Sequence, residues 1–188
     1  SLTYRDGHLS RGATRGDGSK GEDVTHNIRT IKSVPLTLMN NQHSHIEVRG
    51  EVYLHHQDFD RINQERIDEG LPLYSSPRNT AAGTTRQLDP RIVAHRNLDI
   101  IIWGLGYSEE PNPGTHWESL QQIQYLGFKI SSHNRLVKNP EDVKSYYRAW
   151  MENRESLDYA VDGVVVTVNR FDYQKKLGVV GREPRWAI

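Results

Sequence analysis

The sequence contains no cysteine, so disulfides and thiolate metal sites are excluded. It has no excess of either charge: 24 Lys plus Arg balance 24 Asp plus Glu. Global electrostatics therefore does not announce a nucleic-acid partner, and local clusters must make that case. No apolar run approaches the ~18 residues of a membrane span, and no signal peptide is evident. Internal repeats and low-complexity stretches are also missing. The nine histidines show no metal-ligand spacing, and no residue is assigned as a metal ligand. An initiator Met is absent, and the chain stops at Trp186-Ala187-Ile188 without a cap or turn. Both ends read as cut through structure, so a fragment is expected.

What is present suits one domain, with room for a small appended lobe: 188 residues, 35% hydrophobic, with four Trp and nine Tyr to build a core. Mean hydropathy is low, at −0.74. The central stretch is Glu47-Val-Arg-Gly-Glu-Val-Tyr53. Its alternation is that of a half-buried strand. Ile46, Val48 and Val52 point one way; Glu47, Arg49, Glu51 and Tyr53 point the other. Charges cannot face a core unpaired, so this face is either a solvated ladder or the wall of a polar cleft.

Taken in order, Leu2 to Arg11 predicts a hairpin with an Asp6-Gly7 turn. A glycine-rich loop follows, Arg15-Gly-Asp-Gly18 within it, and then a short helix capped by Asp23. Helices are predicted from about Gln57 to a Gly70 stop, after Pro77, around Trp117–Ile123, and from Asn139-Pro140 with Val143, Tyr146, Tyr147, Trp150 and Met151 on one stripe. Leu98–Tyr107 reads as an apolar strand, Pro111–Gly114 as a loop and Val161–Val168 as a buried strand; a turn-rich segment closes the chain. The mixture favours an α+β fold.

Several residues carry chemistry or a plainer role. The Arg15 loop suits phosphate, since exposed N–H groups and a guanidinium match its oxygens; it also suits a surface turn. Arg78 and Arg86 are near two helical turns apart and can share a face as a phosphate clamp, or be solvated. Trp103 can stack on a base or fill the core. Asp162 among valines needs a partner, a turn or a metal, or sits in a bulge with Gly163.

Together and in order, Arg11-Gly-Ala-Thr-Arg-Gly-Asp-Gly18, Gly21-Glu-Asp-Val-Thr25, Asn27-Ile-Arg-Thr-Ile31, Glu47-Val-Arg-Gly-Glu-Val52, Pro77-Arg-Asn-x-Ala-Ala-Gly83, Arg86-Gln-Leu-Asp-Pro-Arg91, Asp162-Gly-Val-Val-Val166 and Pro184-Arg-Trp-Ala187 resemble the bacterial NAD-dependent DNA ligases. The resemblance covers residues 1–188, as a fragment of the adenylation domain. It implies a nucleotidyltransferase (ATP-grasp-like) fold of antiparallel sheets flanked by helices. It implies a cytoplasmic, monomeric enzyme of DNA replication and repair, with no membrane partner, that seals nicked duplex DNA using NAD and Mg²⁺ through lysine-AMP and DNA-adenylate intermediates.

The same resemblance implies roles. Glu51 would accept from a ribose hydroxyl. Arg15 would be the nucleotide-site arginine, and Trp103 would stack on adenine, where the family usually has Tyr. Arg78 and Arg86 would contact adenylate or nick phosphates, Arg154 would be a further arginine of the site, and Asp162 the motif acid. Thr167 stands where the family carries a phosphate-binding lysine. The nucleophilic lysine of the family's Lys-x-Asp-Gly motif and its final lysine motif are missing, as are the nicotinamide-mononucleotide, zinc and downstream DNA-binding modules. The fragment alone is therefore expected to be inactive. An alternative is a degenerate ligase-like module that binds nucleotide or DNA without chemistry, and Thr167 leans that way.

Overall fold

The computed structural model describes residues 1–17, 20–40, 43–111, 113–181 and 183–188. Gly18 of the loop motif and Asn112 of the Pro111–Gly114 loop lie outside the described residues. The centre is a four-stranded antiparallel sheet of β1 (Leu2–Arg5), β2 (His8–Gly12), β3 (His45–Tyr53) and β4 (Asp99–Ser108), in the order β2-β1-β3-β4. Asp6 and Gly7 both take positive φ, 47° and 74°, as a tight hairpin turn requires. Loop segments line the sheet's margins. Leu9 and Leu38 exchange backbone bonds with Leu36 and Gly7 beside β2, and the Ile102 N–H reaches the Lys129 carbonyl beside β4.

Helices α1 (Thr25–Ile28), α2 (His56–Asp68), α3 (Pro77–Thr84), α4 (Pro90–His95), α5 (His116–Tyr125), α6 (Pro140–Asn153) and α7 (Phe171–Leu177) surround the sheet. Of these, α1, α3 and α5 pack on β2, β3 and β4 respectively. Tyr4, Ile46, Val48, Ile102, Ile123 and Leu126 are fully buried among them. The Tyr4 hydroxyl escapes an unpaired state by donating to the Pro35 carbonyl at 2.7 Å. Mixed helices and antiparallel strands make this an α+β fold.

Most helix starts follow their caps. Ser76 and Asn139 accept from the backbone of Asn79 and Asp142, each with proline in the first turn, and Thr115 with Glu118 forms a capping box. At α1 the cap position is Val24, and Asp23 instead accepts from the Thr25 N–H and hydroxyl.

Two expectations need correcting. Val161–Val168 is not a buried strand. A strand needs a neighbour along its length, and among the described residues this segment's backbone pairs only at Val166 and Val168, with Ile188 and Trp186; Val165 is 77% exposed. Helix α6 starts at Asn139-Pro140 as expected, and its apolar stripe leaves no residue fully buried. The closing segment is not merely turns. It contains α7, ended by Gly178 at φ 69°, and a small hairpin of β5 (Val179–Val180) and β6 (Glu183–Pro184).

Candidate functional site

The β3 strand positions the first group. Its buried residues, Ile46 and Val48, hold one face on the core, which turns Glu47, Arg49 and Glu51 outward. Glu47 and Arg49 pair at 3.5 Å. Gly50 lies between them and Glu51 because a Cβ there would stand 2.6 Å from both the Ile101 carbonyl oxygen and the Ile102 side chain. The register with β4 slips at this point, Arg49 opposing Gly104 and Gly50 opposing Ile102. Trp103 is the residue left without a partner, a bulge that re-aims a side chain. It is 52% exposed, so it is not a core tryptophan, and β4 continues past it to Ser108.

Arg78 sits in the first turn of α3, whose packing on β3 brings it to Glu51. Its Nη2 is 3.7 Å from Glu51 Oε1, and its Nη1 donates to Asp162. One guanidinium thus joins residues from β3, α3 and the Leu157–Val168 segment. All three side chains are more than half exposed. Such pairs are weak in water, so the guanidinium is available to a competing anion.

Arg86 does not share this cluster. Helix α3 ends at Thr84, so two-turn spacing does not carry through to residue 86. Its Nε lies 3.0 Å from Glu22. Glu22 stands at the return of the glycine-rich loop, which is closed by backbone bonding of Thr14 to Glu22 and of Asp17 to Lys20. Gly16, at φ 55°, is required here: a Cβ would fall 1.7 Å from the Lys20 carbonyl oxygen. Arg15 on this loop is exposed and forms no ion pair with a described residue.

Arg154, Asp162 and Thr167 line a groove of about 880 Å³ between α6, the 131–140 loop, the 157–169 segment and the 185–188 segment. The α6 stripe forms its apolar wall. Arg15, Glu51, Arg78, Arg86 and Trp103 lie outside it, and Asp162 is the link between the groove and the Arg78 cluster. Thr167 is half-buried and bridges to Ala187.

A second polar cluster has no spacing signal in the sequence. Asp99, at the start of β4, accepts from Ser33 (2.5 Å), Lys129 (2.5 Å), Tyr53 (2.8 Å) and its neighbour's Ile100 N–H (2.7 Å). Burial opposes its charge, but these donors win and hold the carboxyl well below the usual carboxylate range. Burial and the Asp99 carboxylate outweigh Lys129 and push the Tyr53 hydroxyl up to about 12. Burial disfavours the Lys129 charge, yet Asp99 and Tyr53 raise its ammonium above the ordinary value.

The family model for the NAD-dependent DNA ligase adenylation domain matches residues 1–188. A DNA ligase of Dehalococcoides mccartyi is 52% identical over all of this chain, and one of Thermotoga neapolitana is 51% identical. A Thermotoga maritima DNA ligase is 50% identical, again over the whole chain. This chain spans 28% of the first relative and 27% of the other two. With residues 1–188 matched throughout, the chain belongs to the NAD-dependent DNA ligase adenylation domain family.

Proposed function

We propose that this domain, within a longer protein, performs adenylyl transfer from NAD in sealing nicked duplex DNA, on a nucleotidyltransferase fold of the ATP-grasp-like kind. The observation that carries the reading is the meeting of Glu51 and Asp162 on Arg78. Two family-motif carboxylates, remote in sequence, share one exposed guanidinium. In this reading Arg78 releases its carboxylates and pairs with a phosphate, which a planar guanidinium matches in two directions. Glu51 then accepts from a ribose hydroxyl, and the half-exposed Trp103 ring offers a face to adenine. Arg15 and Arg86, beside the glycine-rich loop, and Arg154 in the groove supply further positive charge. Thr167 contributes a hydroxyl donor.

Two carboxylates against one guanidinium leave the Arg78 cluster with one excess negative charge. That repels an unaccompanied phosphate. The donor set therefore fits Mg²⁺, which takes one or two carboxylates together with substrate phosphates rather than an all-protein cage. Among the described residues no group of three or more His, Cys, Asp or Glu forms such a cage. Asp162 would hold the ion beside the substrate phosphates, leaving Glu51 to the ribose hydroxyl, and when bound it would neutralise phosphate charge. No helix of the described residues is long and apolar enough to cross a membrane; a monomer acting in the cytoplasm completes the reading.

Arg78→Ala in the full-length protein tests it. The first adenylyl transfer from labelled NAD should slow by about 100-fold or more, the scale of losing one charge-stabilising donor. A variant that transfers AMP at the parental rate would show that Arg78 is an ordinary surface ion pair. Thr167 favours a second reading, a module that binds nucleotide without transferring it; retained NAD binding with no transfer in the parental full-length protein would establish that instead.

A further inference from the structure

Asp162 lies in a segment with little regular structure of its own. After the 3-10 turn Arg154–Ser156, the chain runs irregularly to α7, and its backbone is anchored near Asp158 and again at Val166 and Val168. At the first anchor the His56 N–H donates to the Asp158 carbonyl at 2.7 Å, and His55 bridges to Tyr159. The Tyr159 ring packs on Tyr53 with centroids 4.7 Å apart. Side-chain bonds reinforce this. His55 Nδ1 is 2.9 Å from Asp158 Oδ2, and Nε2 is 3.1 Å from Asp99 Oδ2. Carboxylates only accept, so the ring makes both bonds when both nitrogens carry a proton. Its inner nitrogen rests on an Asp99 already fixed by Ser33, Tyr53 and Lys129. Its outer nitrogen holds an Asp158 that is 71% exposed.

We propose that His55 is a positioning residue for Asp162. It pins Asp158 to the Asp99 end of the sheet and so sets where the next residues run. Four residues on, Asp162 reaches Arg78 beside Glu51. Among the described residues the ring's hydrogen-bond and ion-pair partners are Asp158 and Asp99, not these three. This role rests on the adenylyl-transfer reading, because it matters only if Asp162 acts there.

The test uses the full-length protein with NAD and Mg²⁺, in single turnover across NAD concentrations. Variants are His55→Leu, Asp158→Ala, Asp158→Asn and, as reference, Asp162→Ala. His55→Leu and Asp158→Ala should each slow the saturated rate about tenfold, the effect of losing a charge-assisted hydrogen bond. Half-saturation by NAD should stay near the parental value. Asp158→Asn keeps an acceptor for the ring N–H and should restore most of the rate. Amide exchange at residues 161–164 should quicken by a similar factor in His55→Leu and Asp158→Ala and stay parental in Asp158→Asn.

Parental rate and exchange in His55→Leu, or an Asp158→Asn as impaired as Asp158→Ala, overturns the positioning role. If His55→Leu does not fold, the two variants at exposed Asp158 decide alone. An impaired Asp162→Ala beside a parental His55→Leu overturns only the positioning claim. A fully active Asp162→Ala overturns the functional reading, and the positioning claim with it.

Discussion

The carboxylates of Glu51 and Asp162 share one guanidinium, that of Arg78. The sharing ties the outward face of β3 to an irregular segment more than half the chain away. It sets Glu51 beside Arg78 and Asp162, whereas Glu47 and Arg49 pair along the same strand as a solvated ladder does.

Thr167 lines the groove with Asp162 and Arg154. A lysine there would bring a unit charge towards a phosphate. At ~4 Å and an effective dielectric near 20 that is worth up to about 4 kcal/mol before desolvation. Half of it is roughly 30-fold in rate. Thr167→Lys in the full-length protein should therefore speed adenylyl transfer at least about tenfold, with little change in folding. Single-turnover rates that stay level or fall would instead make a neighbouring arginine, Arg154 or Arg170, the compensating charge.

None of the lysines in the chain stands in a Lys-x-Asp-Gly pattern, and Lys129 is engaged with Asp99 and Tyr53. Residues 1–188 expressed alone should form no acid-stable AMP adduct with labelled NAD and Mg²⁺. A stoichiometric label on any of these lysines would place the reacting centre elsewhere than the Arg78 cluster.

Asp99 is held ionised by its donors, so its folded carboxyl lies below the unfolded value of about 3.9. A depressed carboxylate contributes stability that is complete above the unfolded value and is lost as pH falls towards the folded one. Asp99→Asn should lower stability by about 2 kcal/mol at neutral pH, as expected for hydrogen bonds to a charged group. In urea denaturation the gap from the parent should be constant between about pH 5 and 7 and shrink as pH falls from about 4 to 2. A gap that widens on acidification would contradict this.

Gly50 is closed to any side chain by the Ile101 carbonyl and the Ile102 side chain. Gly50→Ala should destabilise the domain by about 1–3 kcal/mol through overpacking and shift the register from which Glu51 projects. Unchanged thermal denaturation would mean the β3–β4 bulge absorbs a methyl group freely.

The elements legible in the sequence are those whose signals are local. Asp6-Gly7 dictates its turn, and Ser76-Pro77 and Asn139-Pro140 start their helices where their caps stand. Asp89-Pro90 carries the same signal for α4, with the Arg91 N–H on Asp89. But six residues with one buried side chain, Val93, give no periodicity to read. Helix α7 lacks a side-chain cap altogether. The valine run after Asp162 has the composition of a buried strand, but strand formation depends on a neighbour that composition does not specify. Likewise the motif acids and arginines were visible singly, whereas their pairing was not: Arg86 going to Glu22 and Arg78 to Asp162 is decided by tertiary packing. The Asp99 cluster draws on Ser33, Tyr53, His55 and Lys129, which no spacing rule connects.

The lined margins of the sheet have a consequence for how the chain behaves among copies of itself. A bare strand edge is a template for pairing with another molecule. Beside β2, Leu36 and Leu38 already occupy backbone groups of Leu9 and Gly7, and the Val24 N–H takes the Gly12 carbonyl. On the other margin, Lys129 occupies Ile102, and beyond it the bulges at Trp103 and Gly106 break the even spacing a docking strand would need. The same irregularity that aims Trp103 outward also blunts this margin of the sheet against runaway strand addition.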